Sequence, residues 1–204
     1  MNTTNKSIKL DKSFYKRDLL LVAKELLGKV IVKRTKSEIL SGRIVEVEAY
    51  DGEIDKAAHT YIGKTKRNEV MFDEGGRLYV YLSYGVHFCA NVVTGREGMG
   101  TAVLIRAVEP VDGIETMIKN RFGRNLKNQS EIYNLTSGPG KVCNAFNISS
   151  EHYGMDLTGN KIYLTNIPLR NGEKIGKSKR IGISKSTTLQ WRFFIKDNPY
   201  LSRK

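Results

Sequence analysis

Apolar residues recur along the chain with two periods, and the switches between them divide it into elements. Over residues 17–27, Leu19, Val22, Ala23, Leu26 and Leu27 fall at helical spacing and Gly28 supplies a stop, which predicts an amphipathic helix. Residues 29–35 (KVIVKRT) and 43–50 (RIVEVEAY) read as strands on either side of a polar stretch whose Ser41 and Gly42 suit a turn. Residues 51–69 are polar and aperiodic, long enough for a functional loop rather than a mere linker. From 77 to 108 come three β-rich runs, RLYVYLSY, HFCANVV and TAVLIRAV, joined at Gly85 with Val86 and by TGREGMG, the pattern of an antiparallel meander. Asp112 with Glu115 has the form of a capping box before a helix that carries Ile114, Met117, Ile118 and Phe122 and stops at Gly123. Ser137, Gly138, Pro139 and Gly140 open a short helix to Phe146. Two last strand-like runs, 161–167 and 189–196, flank the basic loop GEKIGKSKRIGISKS. Neither repeat nor linker interrupts this order. It predicts a flexible basic arm over residues 1–12, then a single α+β domain over 13–204, built on a curved, largely antiparallel β-sheet with flanking helices.

Composition narrows the class. With 204 residues, 40% of them hydrophobic and 27% charged, the chain suits one globular domain with a sizeable core. No run approaches the roughly 18 apolar residues of a membrane span, and the polar, basic opening has no apolar signal region, so the expectation is an intracellular protein without a membrane role. Cys89 and Cys143, far apart among apolar neighbours, read as buried thiols.

The net charge of +13 is uneven. Residues 161–204 hold 11 Lys or Arg against only Glu173 and Asp197. Such a field attracts a polyanion, most simply nucleic acid, with an anionic membrane surface second and plain solubility charge as the bland reading. Nucleotide-driven and metal chemistry find no support. Gly172, Gly176, Lys177 and Ser178 have the wrong spacing for a phosphate loop, and His59, His87 and His152 with two distant cysteines do not make a zinc pattern.

Strand geometry gives the more informative candidates. Period two puts Val45, Val47 and Ala49 on one face of RIVEVEAY and Ile44, Glu46, Glu48 and Tyr50 on the other. In the meander, Tyr79, Tyr81 and Ser83 alternate with Leu78, Val80 and Leu82. Carboxylates beside tyrosines in a basic protein suggest a pocket for a flat ring with an acid or base in it, although cross-strand packing with solvent-facing glutamates gives the same pattern. Tyr84, just before Gly85, sits at an expected hairpin tip, as a wedge for stacked bases or as a staple on the hairpin. Arg106 falls in an apolar strand on the face of Ala102, Leu104 and Val108, so it needs an anion or a carboxylate such as Glu46.

Taken together, FYKRDLLLVAKELLGKVIV, GRIVEVEAYDGEIDKAAHTYIGKTKRNEVMF, GRLYVYLSYGVHFCANVV, AVLIRAVEP, LTSGPGKVCNAF and WRFFIKDNPYLS cover almost the whole chain, and their order resembles the alkyladenine, or 3-methyladenine, DNA glycosylases of the mammalian alkyladenine glycosylase type. The resemblance implies a monofunctional N-glycosylase of base excision repair. Such an enzyme flips 3-methyladenine or 7-methylguanine, with hypoxanthine and etheno-adenine as further candidates, from duplex DNA and hydrolyses the glycosidic bond. Residue by residue, it implies Glu48 as the general base, Arg106 as the group that holds the attacking water, and Tyr50, His59 and Tyr81 as walls around the flipped base. By the same resemblance Tyr84 fills the vacated stack, Asn91 obstructs the exocyclic amine of guanine, and Ile183 touches the pocket. The basic loop adds Lys174, Lys177, Lys179, Arg180 and Lys185 as expected phosphate contacts. No cofactor and no metal are implied. No lysine falls at the implied pocket positions, so strand cleavage is not expected, and the protein is expected to act as a monomer on chromosomal DNA. The competing reading is a non-catalytic nucleic-acid-binding protein of the same fold.

Overall fold

A computed structural model describes residues 8–203. The elements run α1 (Lys12–Tyr15), α2 (Leu19–Leu26), β1 (Val30–Arg34), β2 (Ile39–Asp51), β3 (Leu78–Ser83), β4 (His87–Thr94) and β5 (Thr101–Asp112). They continue with α3 (Ile114–Phe122), α4 (Glu131–Asn134), α5 (Pro139–Ala145), β6 (Ile162–Thr165), β7 (Ile175–Ser178) and β8 (Arg192–Ile195). The α+β architecture matches the sequence pattern, with its strands in one curled antiparallel sheet ordered β3-β4-β5-β2-β1-β6.

β2 organises the sheet because it is long enough to have three partners. One edge pairs with β5 along most of its length; the other pairs with β1 near residue 39 and with β8 at Glu46, Val47 and Glu48. Period-two alternation then sorts the side chains. Val45, Val47 and Ala49 of β2, Leu78 and Val80 of β3, and Val103 and Ile105 of β5 join the main core, on which α2, α3 and α5 pack. Tyr79, Val93 and Ala102, with Val70 and Met71, form a separate cluster behind the tyrosine-bearing face.

Several boundaries differ from the sequence pattern, each for a local reason. Ile44 belongs to the main core rather than to the face of Glu46, because the pairing with β5 slips between Ile44 and Glu46 and again before Val47. The same slip sets Val108 opposite Ile44, in the core and off the face of Arg106. Asp112 does not cap α3: Gly113, at φ 71°, is the N-cap, and the Asp112 carboxylate accepts from the Ser41 hydroxyl at 2.6 Å. Asp18 caps α2 instead, accepting from the N–H groups of Leu20 and Leu21. β7 lies inside the expected basic loop. It pairs with β8, and Gly176 rests against the Phe194 ring where a Cβ would meet it at 2.6 Å. Residues 1–7 of the expected arm lie outside the described residues. Its later part is not free: Lys9 pairs with Thr165, and buried Leu10 donates its N–H to Leu164 O at 2.8 Å.

Candidate active site

A cleft of about 560 Å³ opens on the tyrosine-bearing face, and Tyr50, His59, Tyr81, Asn91, Arg106 and Ile183 all border it. β2, β3, β4 and β5 deliver four of them. His59 comes from the 51–69 connection, held by buried Asn68, which donates to His59 O at 2.9 Å and to Gly63 O at 3.0 Å. Ile183 comes from the loop between β7 and β8.

Glu48 lies behind this wall, fully buried. Its Oε2 accepts from the Tyr50 hydroxyl at 2.8 Å and from Arg106 Nη1 at 3.2 Å, and its Oε1 accepts from the Ile181 N–H at 2.7 Å. A carboxylate offers about four acceptor sites. Three are taken by protein donors, which leaves one for a further donor. The Tyr50 hydroxyl stays protonated to play its part, because burial first and the Glu48 charge second push its pKa upward.

The aromatic walls are arranged edge to face. The His59 and Tyr81 ring centres are 4.5 Å apart at 81°, and Tyr81 stacks on Tyr79 at 5.5 Å. His59 Nδ1 is 2.9 Å from the Tyr79 hydroxyl. Burial, then the positive charge of Arg67, lowers the His59 pKa, while burial pushes Tyr79 up to about 12, so both groups are uncharged at neutral pH. Each tyrosine wall also has a guanidinium over it. Arg180 lies 4.6 Å from the centre of Tyr50, and Arg67 lies 5.5 Å from that of Tyr81. These cations draw on the ring quadrupoles that would otherwise attract a cationic base, so flat stacking rather than charge is the main attraction the walls offer.

Arg180 corrects the expected phosphate contacts. Its side chain is wholly enclosed: it makes a two-point ion pair with Asp55, with Nη2 to Oδ1 at 2.8 Å, and donates to Ala49 O at 2.9 Å. A phosphate cannot reach it. Lys174, Lys177, Lys179 and Lys185 are exposed, and of these Lys185 borders the cleft. Tyr84 stands 92% exposed at the β3–β4 tip, in a tight turn closed by Val86 N–H to Ser83 O at 3.0 Å. The staple reading fails at that exposure. Asn91 is buried and donates to Tyr79 O at 3.1 Å.

The sequence pattern missed Lys56, Arg67 and Cys89 at the cleft and gave Tyr79 only as one of a tyrosine-bearing face. Tyr79 was legible from its shared face with Tyr81, and Arg67 from the basic run KTKR within a polar connection. Lys56 corrects the expectation of a cleft without lysine, as does Lys185; both side chains are exposed rather than enclosed.

Residues 13–199 match the family model described as Methylpurine-DNA glycosylase (MPG). A protein of Alkaliphilus oremlandii is 50% identical over 97% of this chain and all of its own length. Proteins of Desulfitobacterium hafniense and Clostridium novyi are 46% and 44% identical, over 96% of this chain and 99% of their own. All three have 3-methyladenine DNA glycosylase in their names. The chain belongs to the methylpurine-DNA glycosylase family, and so to the DNA glycosylases of base excision repair. Among the described residues no helix is long and apolar enough to cross a membrane.

Proposed function

We propose that the protein, as a monomer on duplex chromosomal DNA, excises alkylated purines, 3-methyladenine and 7-methylguanine foremost, and leaves an abasic site in an intact strand. One observation carries the reading: a buried carboxylate, Glu48, has three protein donors and one acceptor site left, beside an arginine that borders an aromatic cleft. The flipped base stacks in the cleft among Tyr50, His59 and Tyr81, offsetting part of the unstacking cost of a few kcal/mol, while Tyr84 fills the space it vacates. Water, donating one proton to Glu48 and oriented by Arg106, attacks C1′. The glycosidic bond breaks with its electron pair moving to the purine nitrogen. A purine alkylated at N3 or N7 starts cationic and departs neutral, so leaving-group protonation is not required, and one carboxylate does the work that sugar hydrolases commonly divide between two. The exposed lysines, with net charge +13 overall, hold the duplex without reading its sequence.

The test is release of base from a duplex containing 3-methyladenine or 7-methylguanine, with hot alkali to reveal abasic sites and Glu48→Gln alongside. The parent should release base, and Glu48→Gln should bind the duplex without releasing it. Release by Glu48→Gln at the parent rate would remove Glu48 as base. If neither protein releases base while both bind, the non-catalytic reading replaces this one. Breaks that appear before alkali treatment would assign lyase chemistry, with Lys56 and Lys185 the amines to replace first.

A further inference from the structure

Glu46 precedes Glu48 by two residues on β2 and, like Glu48, is fully buried and does not itself border the cleft. Its Oε1 accepts from Arg106 Nε at 3.2 Å, Arg192 Nε at 2.7 Å and the Ser202 hydroxyl at 2.7 Å; its Oε2 accepts from the Ser202 N–H at 2.6 Å. Ser202 Oγ in turn accepts from Arg106 Nη2 at 3.3 Å. All four bonds come from protein donors, three on Oε1 and one on Oε2. Glu46 thus spends its acceptors on Arg106, Arg192 and Ser202, whereas Glu48 spends its own on Tyr50, Arg106 and Ile181. The two glutamates share one partner, Arg106.

We propose that Glu46 and Ser202 are positioning residues that fix Arg106 for the hydrolysis assigned above to Glu48, a proposal that rests on that reading. The guanidinium of Arg106 is held at three corners: Nε by Glu46, Nη1 by Glu48 and Nη2 by Ser202. These bonds use three of its five N–H donors and fix its plane, leaving two donors for groups outside these partners. Held only at Nη1, the group would pivot about Glu48 and carry those donors away from the water. Stability alone is a weak reason for such a cluster, because a buried ion pair replaced by apolar groups of similar volume is often no less stable. Glu46, Glu48, Arg106 and Arg192 also sum to zero charge, so Arg106 is neutralised without consuming the open site of Glu48. Ser202, remote in sequence from every residue of the cleft, is thereby tied to the chemistry through one carboxylate and one guanidinium.

The test compares single-turnover base release with affinity for a duplex carrying a tetrahydrofuran abasic analogue, in Glu46→Gln, Ser202→Ala, Arg106→Met and the two combinations with Arg106→Met. Ser202→Ala should slow release about tenfold, the equivalent of one hydrogen bond, and Glu46→Gln up to about 100-fold, with duplex affinity unchanged in both. In the Arg106→Met background neither replacement should slow release further, since the group they hold is gone. Ser202→Ala removes one hydroxyl and carries the test by itself if Glu46→Gln fails to fold. Parental release rates in Ser202→Ala, or losses as large in the Arg106→Met background as in the parent, would overturn the proposal while leaving Glu48 as base. A parent that releases no base would overturn both.

Discussion

Arg180 and Lys179 are neighbours in a basic loop, yet the structure gives them opposite roles, and one experiment separates them. Lys179 is exposed, whereas Arg180 is enclosed with Asp55, bonded to Ala49 O and laid over Tyr50. Breaking a buried ion pair by removing one partner costs about 3–5 kcal/mol, because the other charge is left uncompensated. At about 2–4 °C per kcal/mol for a chain of this size, Arg180→Met should lower the melting temperature by roughly 6–20 °C. It should also slow base release, since the next residue supplies the Ile181 N–H to Glu48 at 2.7 Å. The double replacement Asp55→Leu with Arg180→Met removes both charges and should recover much of the lost stability. Salt dependence of duplex binding is the separating assay. Loss of one phosphate contact lowers the slope of log K against log salt by about 0.9, so Lys179→Ala should lower it and Arg180→Met should not. If Arg180→Met melts with the parent and lowers the slope as Lys179→Ala does, Arg180 touches phosphate and the argument from its burial is wrong.

Two further outcomes follow from single residues. Tyr84 has φ 49°, a left-handed conformation that costs a bulky residue about 1–2 kcal/mol, so Tyr84→Gly should melt slightly higher than the parent while its base release falls. A rise in stability with full release would end its role as a wedge. The pKa of His59 is lowered by burial and by Arg67, so the unfolded chain binds more protons than the native one between the folded pKa and the usual 6.5. Stability should therefore fall as pH drops through that window. His152, also lowered by burial, contributes in the same direction, so His59→Gln should flatten only part of the decline in melting temperature between about pH 8 and 5. An unchanged decline in His59→Gln would show that the ring is not held neutral by its surroundings.

Much of this fold is written in the alternation of its side chains. The alternation of RIVEVEAY and RLYVYLSY placed Glu46, Glu48, Tyr50, Tyr79 and Tyr81 off the core face, because period-two geometry depends only on the backbone. The slip beside Val45 was not legible, since a bulge is set by how two distant strands pair, and it moved Ile44 and Val108 to the core. β7 was missed for a related reason. Its IGKS has little apolar content, and its strand state is imposed by the β8 edge beside it. Charge was the least transferable signal: a run of lysines and arginines records how many cations exist, not which of them meets a buried partner such as Asp55. The pattern left Arg106 with an anion or a carboxylate such as Glu46, and the structure pairs it with Glu46 and with Glu48 as well.

Cys89 sits at the cleft and Cys143 within the core, and burial raises the pKa of both thiols. Agents that methylate purines are electrophiles, and they also methylate sulfur when it is ionised, the thiolate being the nucleophile. A repair enzyme is needed most while such agents are present. Burial keeps both sulfurs protonated, so neither offers the thiolate that the electrophiles behind the proposed substrates attack most readily.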